Sequence, residues 1–338
     1  MPELFVFGAG IAMMGPRCAA AASPSALPFA LLAFAPMLWG GNFIVGRYVG
    51  PDIGPHWMNI GRWSIAAIVL LPVSLRGLIR DGRQLFAAWP RLIILSILGI
   101  VCANTLIYAS LQYIGASVAA ILFSTVPLLT VFFTTVIEKR FPACRLILLS
   151  VLSMCGVWLV QHYNGPASSR AADNLGEMFI LGAAVAWALY WIAVEKLTFK
   201  ASPLSSLMAQ IVIGLLIQIP LALLILDVPP PQGVSTREAL ALGYIGIFAA
   251  AAGFLCWQFA LKSVPASLAG AATNLIPVWS LLLAWILLGE TLNAAQWLGM
   301  ALIVLAIILT RATGQPVSVP LNPSPSSTRR CFSRAEAD

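Results

Sequence analysis

Leu111-Gln112-Tyr113-Ile114-Gly115-Ala116-Ser117 returns 150 residues later as Leu261-Lys262-Ser263-Val264-Pro265-Ala266-Ser267, and each copy joins one long apolar run to the next. The same offset carries Pro127 onto Pro277. An offset of 148 carries Trp39 onto Trp187, Pro55 onto Pro203 and Pro72 onto Pro220. Features keep their order in both halves, which marks an internal repeat. Working outward from these anchors, the apolar runs can be counted. Crossing a hydrocarbon core of ~30 Å at ~1.5 Å per residue takes roughly 20 apolar residues. Ten runs qualify, at 29–49, 57–76, 91–111, 117–137 and 143–161, then 176–194, 204–226, 238–261, 266–288 and 293–311. Five per half is an odd number, so the second half enters the membrane from the opposite side. The expected fold is an all-α integral membrane protein of ten transmembrane helices in two inverted five-helix repeats. That architecture recurs in secondary transporters, with substrate held near the midplane where the halves meet.

Composition agrees with lipid as the solvent. Of 338 residues 60% are hydrophobic and 9% charged, whereas a soluble domain carries about 25% charged residues. The runs are too long and continuous for the alternating strands of a membrane barrel. The net charge of +7 forms no compact basic stripe with interleaved aromatics, so nucleic acid is not an expected partner. Six scattered cysteines and two distant histidines give no ligand spacing, and no metal or cofactor is expected.

Charge sets the expected orientation. With ten spans, one face carries Arg17, Arg76, Arg80, Arg83, Arg91, Lys139, Arg140, Arg145, Lys196, Lys200, Lys262, Arg311, Arg329, Arg330 and Arg334. The other carries Arg170 and Arg237. Excess Lys and Arg mark the cytoplasmic face, which predicts both termini cytoplasmic and suits a bacterial inner (plasma) membrane. The domain reading is a tail over 1–28, one repeat over 29–163, a second over 174–311, and a C-terminal tail over 312–338. The last is rich in Pro and Ser and is expected to be disordered. The apolar stretch Leu4–Met14 is too short to span and has Glu3 before it, unlike a signal peptide.

Against this background the sequence resembles the EamA family of the drug/metabolite transporter superfamily. The resemblance rests on Leu38-Trp39-Gly40-Gly41-Asn42-Phe43, Arg62-Trp63, Tyr108-Ala109-Ser110-Leu111-Gln112-Tyr113 and Ala116-Ser117-Val118-Ala119-Ala120. It continues through the Pro277 helix, Leu288-Gly289-Glu290 and the helix near Trp297, spanning roughly 29–311. It implies two five-helix repeats with cytoplasmic termini around a central cavity lined by the first four helices of each half. It also implies movement of amino acids, related metabolites or toxic amphiphiles, often outward. Two features depart from equivalence between the halves. Glu138 lies eleven residues after Pro127 but Glu290 thirteen after Pro277, and Arg62 has Gln210 as its repeat partner.

Polar residues inside spans point to the candidate site. Arg62 lies about five residues inside its helix, roughly 8 Å deep. A charge there faces a cavity or a partner and is suited to hold a substrate carboxylate; snorkelling or pairing with Asn42 is the structural alternative. Asn42 shares a face with Trp39 and serves either as glue between helices or as a substrate contact. Trp187, Tyr190 and Trp191 form an expected aromatic wall on the sixth span. Asn104, Tyr108 and Gln112 make a polar stripe on the third, with Gln258 as the repeat equivalent of Tyr108. Gln210, Gly214 and Gln218 make another on the seventh. Asn274 precedes Pro277 by one turn, and Ser124 is its counterpart. Pro127 and Pro277 are expected to kink their helices and to act in gating.

Enzymatic motifs are lacking: no GxxxxGK[ST], GxSxG or HExxH occurs, and acidic residues fall in tails, loops and helix ends. The expected function is a secondary transporter of small organic metabolites, an exporter of amino-acid-like zwitterions, anions or amphiphilic drugs. A nucleotide-sugar or sugar-phosphate carrier would want several cavity cations, and Arg62 stands nearly alone. A membrane-embedded enzyme would need a convergent catalytic cluster. A channel would share the polar stripes but not saturable counterflow.

Overall fold

In the computed structural model the chain is described over residues 26–139, 170–197, 200–261, 272–288 and 292–312, with isolated positions between 148 and 159. Helices account for almost all of the described residues, and no strand occurs among them. We number them α1 (Ala26–Ile53), α2 (Pro55–Ala87), α3 (Trp89–Ser110), α4 (Ala116–Phe123), α5 (Val126–Glu138) and α6 (Arg170–Lys196). Then follow α7 (Pro203–Ile225), α8 (Thr236–Leu261), α9 (Leu275–Leu288) and α10 (Ala294–Ala312). Seven stretches are long and apolar enough to cross a membrane; α4 and α5 together make one of them, Val118–Ile137. Shorter apolar helices at Leu275–Leu287 and Ala294–Ala306 fall in the expected ninth and tenth spans. Most of the expected fifth span, of both tails and of the segment joining the halves lies outside the described residues.

Local chemistry explains the boundaries. Gly54 joins α1 to α2 at φ 79°, a left-handed conformation that glycine adopts without cost, and Pro55 opens α2 where its missing N–H is not needed. Ser202 caps α7 by accepting from the Ser205 N–H, and Ser235 with Glu238 forms a capping box on α8. The fourth span is interrupted rather than kinked. Between α4 and α5 the hydroxyls of Ser124 and Thr125 donate to the carbonyls of Ile121 and Leu122, and Pro127 sits in the first turn of α5. The ninth is built alike: the described chain turns at Thr273–Asn274, and α9 restarts with Pro277 as its third residue. Each proline therefore begins a helical segment, where it removes no helical hydrogen bond.

Three helices contain π-helical turns: Ser96–Cys102 in α3, Leu221–Ile225 in α7 and Tyr244–Ala252 in α8. The widened turn frees carbonyls that an α-helix would occupy. An offset of 150 carries residues 96–102 onto 246–252, inside the segment in α8.

Packing runs mostly between the halves. α1 lies against α8 and α9, α2 against α7 and α8, and α6 against α3, α4 and α5. Under the 148–150 offset these contacts are reciprocal: the first helix of each half packs on the third and fourth of the other, and the second helices pack on each other. Buried alanines, among them Ala103, Ala119, Ala183, Ala184, Ala249 and Ala250, let the backbones approach. At one end Trp57 donates to the Val228 carbonyl, and Arg237 stacks on the Tyr48 ring while donating to its carbonyl. At the other end Asp81 accepts from the Ser202 N–H at 2.8 Å. These ties place residues 48, 57, 228 and 237 together on one face and 81 and 202 on the opposite one.

Candidate functional site: a guanidinium with no acid

Arg62 projects from α2 into the middle of the bundle and is 4% exposed. Its Nη1 donates to Asn104 Oδ1 at 2.8 Å and Tyr108 Oη at 3.2 Å, with Asn42 Oδ1 farther off at 3.5 Å. The Tyr108 hydroxyl donates to Asn42 Oδ1 at 2.7 Å, so α1, α2 and α3 meet at one polar point. Every partner is neutral. The Arg62 Nε is buried with no acceptor, and so are the indole N–H groups of Trp63 and Trp257. The geometry depends on close approach of α1 and α3. Gly46 lies one turn from Asn42, and a Cβ there would stand 2.8 Å from Leu111 Cδ1 and 3.1 Å from the Tyr108 ring.

The π-turn of α3 holds the other end of this group. Asn104 Nδ2 donates to the Gly99 carbonyl at 2.6 Å. The next carbonyl, Ile100 O, accepts from Asn59 Nδ2 at 2.8 Å. Asn59 also reaches Thr105 Oγ1 at 3.1 Å and Gln218 Oε1 at 3.0 Å, and Gln218 Nε2 donates to Thr105 Oγ1 at 2.9 Å. Asn59, Arg62 and Trp63 lie at i, i+3 and i+4 on α2, hence on one face. Two neighbouring polar groups therefore share the same π-turn, and the second ties α2 and α3 to α7 in the other half.

An aromatic wall flanks the guanidinium. The Arg62 Cζ lies 5.1 Å from the Trp63 ring centroid, and Trp63 meets Phe254 at 5.8 Å. Phe254 contacts Trp39 at 5.6 Å and Trp187 at 6.3 Å. Trp187 stacks on Tyr190 at 5.2 Å and meets Trp191 edge-on at 5.9 Å. Trp39 is fixed by donating its indole N–H to Ala249 O, a carbonyl in the π-turn of α8. That carbonyl lies 150 residues after Gly99, so the two π-turns orient one site side chain each, Asn104 and Trp39.

Of the residues singled out from sequence, Trp39, Asn42, Arg62, Asn104, Tyr108, Trp187, Tyr190 and Trp191 form one continuous group. Gln210 is off to its side: it accepts from the Tyr190 hydroxyl at 3.2 Å and donates to Ser206. Asn274, Ser124 and Pro127 line a crevice of about 10 Å³ that reaches Trp187, with room for about one water. Pro277 follows Ile276, another lining residue. The side chain of Gln258 lies outside the described residues. Arg47 is exposed and donates to the Leu111 carbonyl at the end of α3. Sequence reasoning missed Asn59, Thr105, Trp63, Phe254 and Trp257; the spacing of Asn59 from Arg62 was the available signal.

A model of the EamA-like transporter family matches this chain twice, over residues 27–161 and 174–312. The chain belongs to that family. The doubled match covers both sides of the Arg62 site. A relative in Bacillus subtilis, the uncharacterized transporter YyaM, is 24% identical over 279 residues, covering 82% of this chain and 91% of that protein. The inner membrane transporter YedA of Escherichia coli K12, also uncharacterized, is 24% identical over 276 residues, covering 81% and 87%. A solved crystal structure superposes with a TM-score of 0.64 at 17% identity, covering 84% of this chain and 98% of that one, a likeness of fold. The protein is therefore a membrane transporter of EamA type.

Proposed function

We propose that this transporter exports small organic metabolites bearing one negative group, amino-acid-like zwitterions or anions and amphiphilic drugs among them, by alternating access. In this reading two inverted five-helix repeats rock about a central site, in a cell inner membrane with both termini cytoplasmic. Reciprocal packing of the halves, matched π-turns and the doubled family match support the repeat. One observation carries the substrate assignment: the Arg62 guanidinium is buried without a carboxylate among its partners. An arginine at the centre of a spanning helix costs about 2.5–3.5 kcal/mol to insert, and somewhat less at the ~8 Å depth of Arg62. Glue between helices needs only amides, which Asn59 and Gln218 already supply nearby. A cation retained here at that cost, with Nε open and the neighbouring Trp63 indole N–H also unpartnered, suits a carboxylate. The aromatic wall then takes the body of the molecule. Phosphorylated sugars or nucleotides would call for several cations, and this group has one.

The test is untargeted metabolite profiling of spent medium from cells expressing wild type, Arg62→Ala or empty vector at matched membrane levels. Small anions or zwitterions enriched by wild type alone are the expected result. Equal enrichment by wild type and Arg62→Ala would remove Arg62 from the path. No difference between wild type and vector would overturn export.

A further inference from the structure

Five aromatic side chains of the site close into a circle. Trp39 meets Trp257 at 5.1 Å, Trp257 meets Trp191 at 6.4 Å, and Trp191 meets Trp187 at 5.9 Å. Trp187 meets Phe254 at 6.3 Å, and Phe254 returns to Trp39 at 5.6 Å. The circle draws on α1, α6 and α8, thus on both halves of the chain. Its neighbouring rings are inclined to one another by 45° to 85°, and none of these pairs is stacked. A pentagon with sides of that length has its middle about 5 Å from each centroid, inside the ~6 Å reach of a cation–π contact.

The circle offers electron-rich faces and is short of hydrogen-bond acceptors. Trp contributes only a donor and Phe neither donor nor acceptor. The Trp39 N–H goes to Ala249 O, and the Trp257 N–H is buried with no acceptor at all. A primary ammonium would bring three more donors to this place, each costly to leave unmet. A quaternary ammonium has no N–H and meets ring faces directly. The guanidinium is adjacent. Asn42, which contacts Arg62, lies one turn from Trp39 on α1, and Trp63 touches both Arg62 and Phe254. Three residues of helix rise about 4.5 Å, a distance that a spacer of three methylenes can bridge.

We propose that the preferred substrates are zwitterions with a carboxylate at Arg62 and a quaternary ammonium inside the circle of Trp39, Trp187, Trp191, Phe254 and Trp257. The carboxylate end rests on the proposed function; the cationic end is new. The test is isothermal titration of the purified full chain with three acids of one chain length. These are γ-trimethylammonium butyrate, the tert-butyl acid in which carbon replaces its nitrogen, and γ-aminobutyrate. The trimethylammonium acid should bind about 10- to 30-fold more tightly than either of the others, the worth of a desolvated cation–π contact. Trp191 is half-buried, and Trp191→Leu should weaken the trimethylammonium acid about tenfold while barely moving the tert-butyl acid. Trp191→Phe should restore most of the loss. Equal binding of the three acids, or tighter binding of the tert-butyl acid or the primary amine, would overturn the cationic end while leaving Arg62 as the anion site. Affinities unchanged by Arg62→Ala would overturn the proposal through its carboxylate end. Binding of none of the three would overturn it as well, and spent-medium profiling then judges export separately. The comparison of acids on wild type decides alone should a variant misfold.

Discussion

Asn104→Asp exchanges one NH₂ for an oxygen at a position already in contact with the uncompensated guanidinium. Asn104 Oδ1 lies 2.8 Å from Arg62 Nη1, so one oxygen of the new carboxylate already stands in place to pair with it, while the other must turn away from the Gly99 carbonyl. Opposite charges ~4 Å apart at an effective dielectric constant near 20 attract by about 4 kcal/mol. Against this stands the bond from Asn104 Nδ2 to the Gly99 carbonyl, whose loss costs about 1–3 kcal/mol. The variant should therefore be more stable than wild type by about 1–3 kcal/mol. Transport should move the other way. A substrate anion must displace an internal carboxylate, and if the full attraction opposes it, binding weakens up to about 1,000-fold. Melting of purified protein reads the first effect. Counterflow in proteoliposomes, with a metabolite found in spent medium, reads the second. Asn104→Leu is the control that removes both hydrogen bonds without adding charge, and it should lose stability. An Asn104→Asp protein that transports with wild-type KM, or melts below Asn104→Leu, would refute the idea that Arg62 is a cation waiting for an anion.

Three other substitutions probe the surroundings. Asn59→Leu removes the donor shared by Ile100 O, Thr105 and Gln218; thermal unfolding should show a loss of about 1–2 kcal/mol, partly restored by adding Gln218→Leu. Gly46→Ala puts a Cβ 2.8 Å from Leu111 Cδ1 and 3.1 Å from the Tyr108 ring; overpacking of about 1–3 kcal/mol should lower melting and raise KM as Tyr108 is pushed from Asn42. Pro277→Ala should leave folding intact, because the proline occupies the first turn of α9, yet slow transport and change cysteine accessibility from the two sides. Unchanged rate and accessibility would remove the break from gating.

The fold was legible because a membrane forces a simple code. Spanning segments must be long, apolar and helical, so seven of them can be read by counting. The ties Trp57–Val228 and Asp81–Ser202 join the ends that alternating passage of the chain would bring to the same face. The ends of α2 were less legible. Its last turns carry Arg80, Asp81 and Arg83 and read as loop from hydropathy, but the helix continues to Ala87. Helical hydrogen bonding does not require apolar side chains once the chain has left the hydrocarbon, and Asp81 is held by Arg80 and Ser202 instead. Hydropathy reports the solvent, and here the solvent changed before the helix ended.

The site divides along the same line. Arg62, Asn42 and Tyr108 were readable because a charge or amide within an apolar run is costly and must have a purpose. Their convergence was not, because it depends on backbone that no residue type announces. Ser96–Cys102 is an ordinary apolar string, Ser-Ile-Leu-Gly-Ile-Val-Cys, with nothing to mark a π-turn. Yet that turn frees Gly99 O for Asn104 and Ile100 O for Asn59. Without it Asn104 would have no fixed orientation in which to present Oδ1 to Arg62. Its counterpart in α8 frees Ala249 O for Trp39. The same distortion thus positions a polar side chain in one half and an aromatic one in the other. The duplication kept the backbone device while the side chains diverged, Asn104 against Phe254 and Tyr108 against Gln258. On the proposed function the result is a site with a cationic side and an aromatic side, the asymmetry that a molecule with one charged end and one apolar body requires.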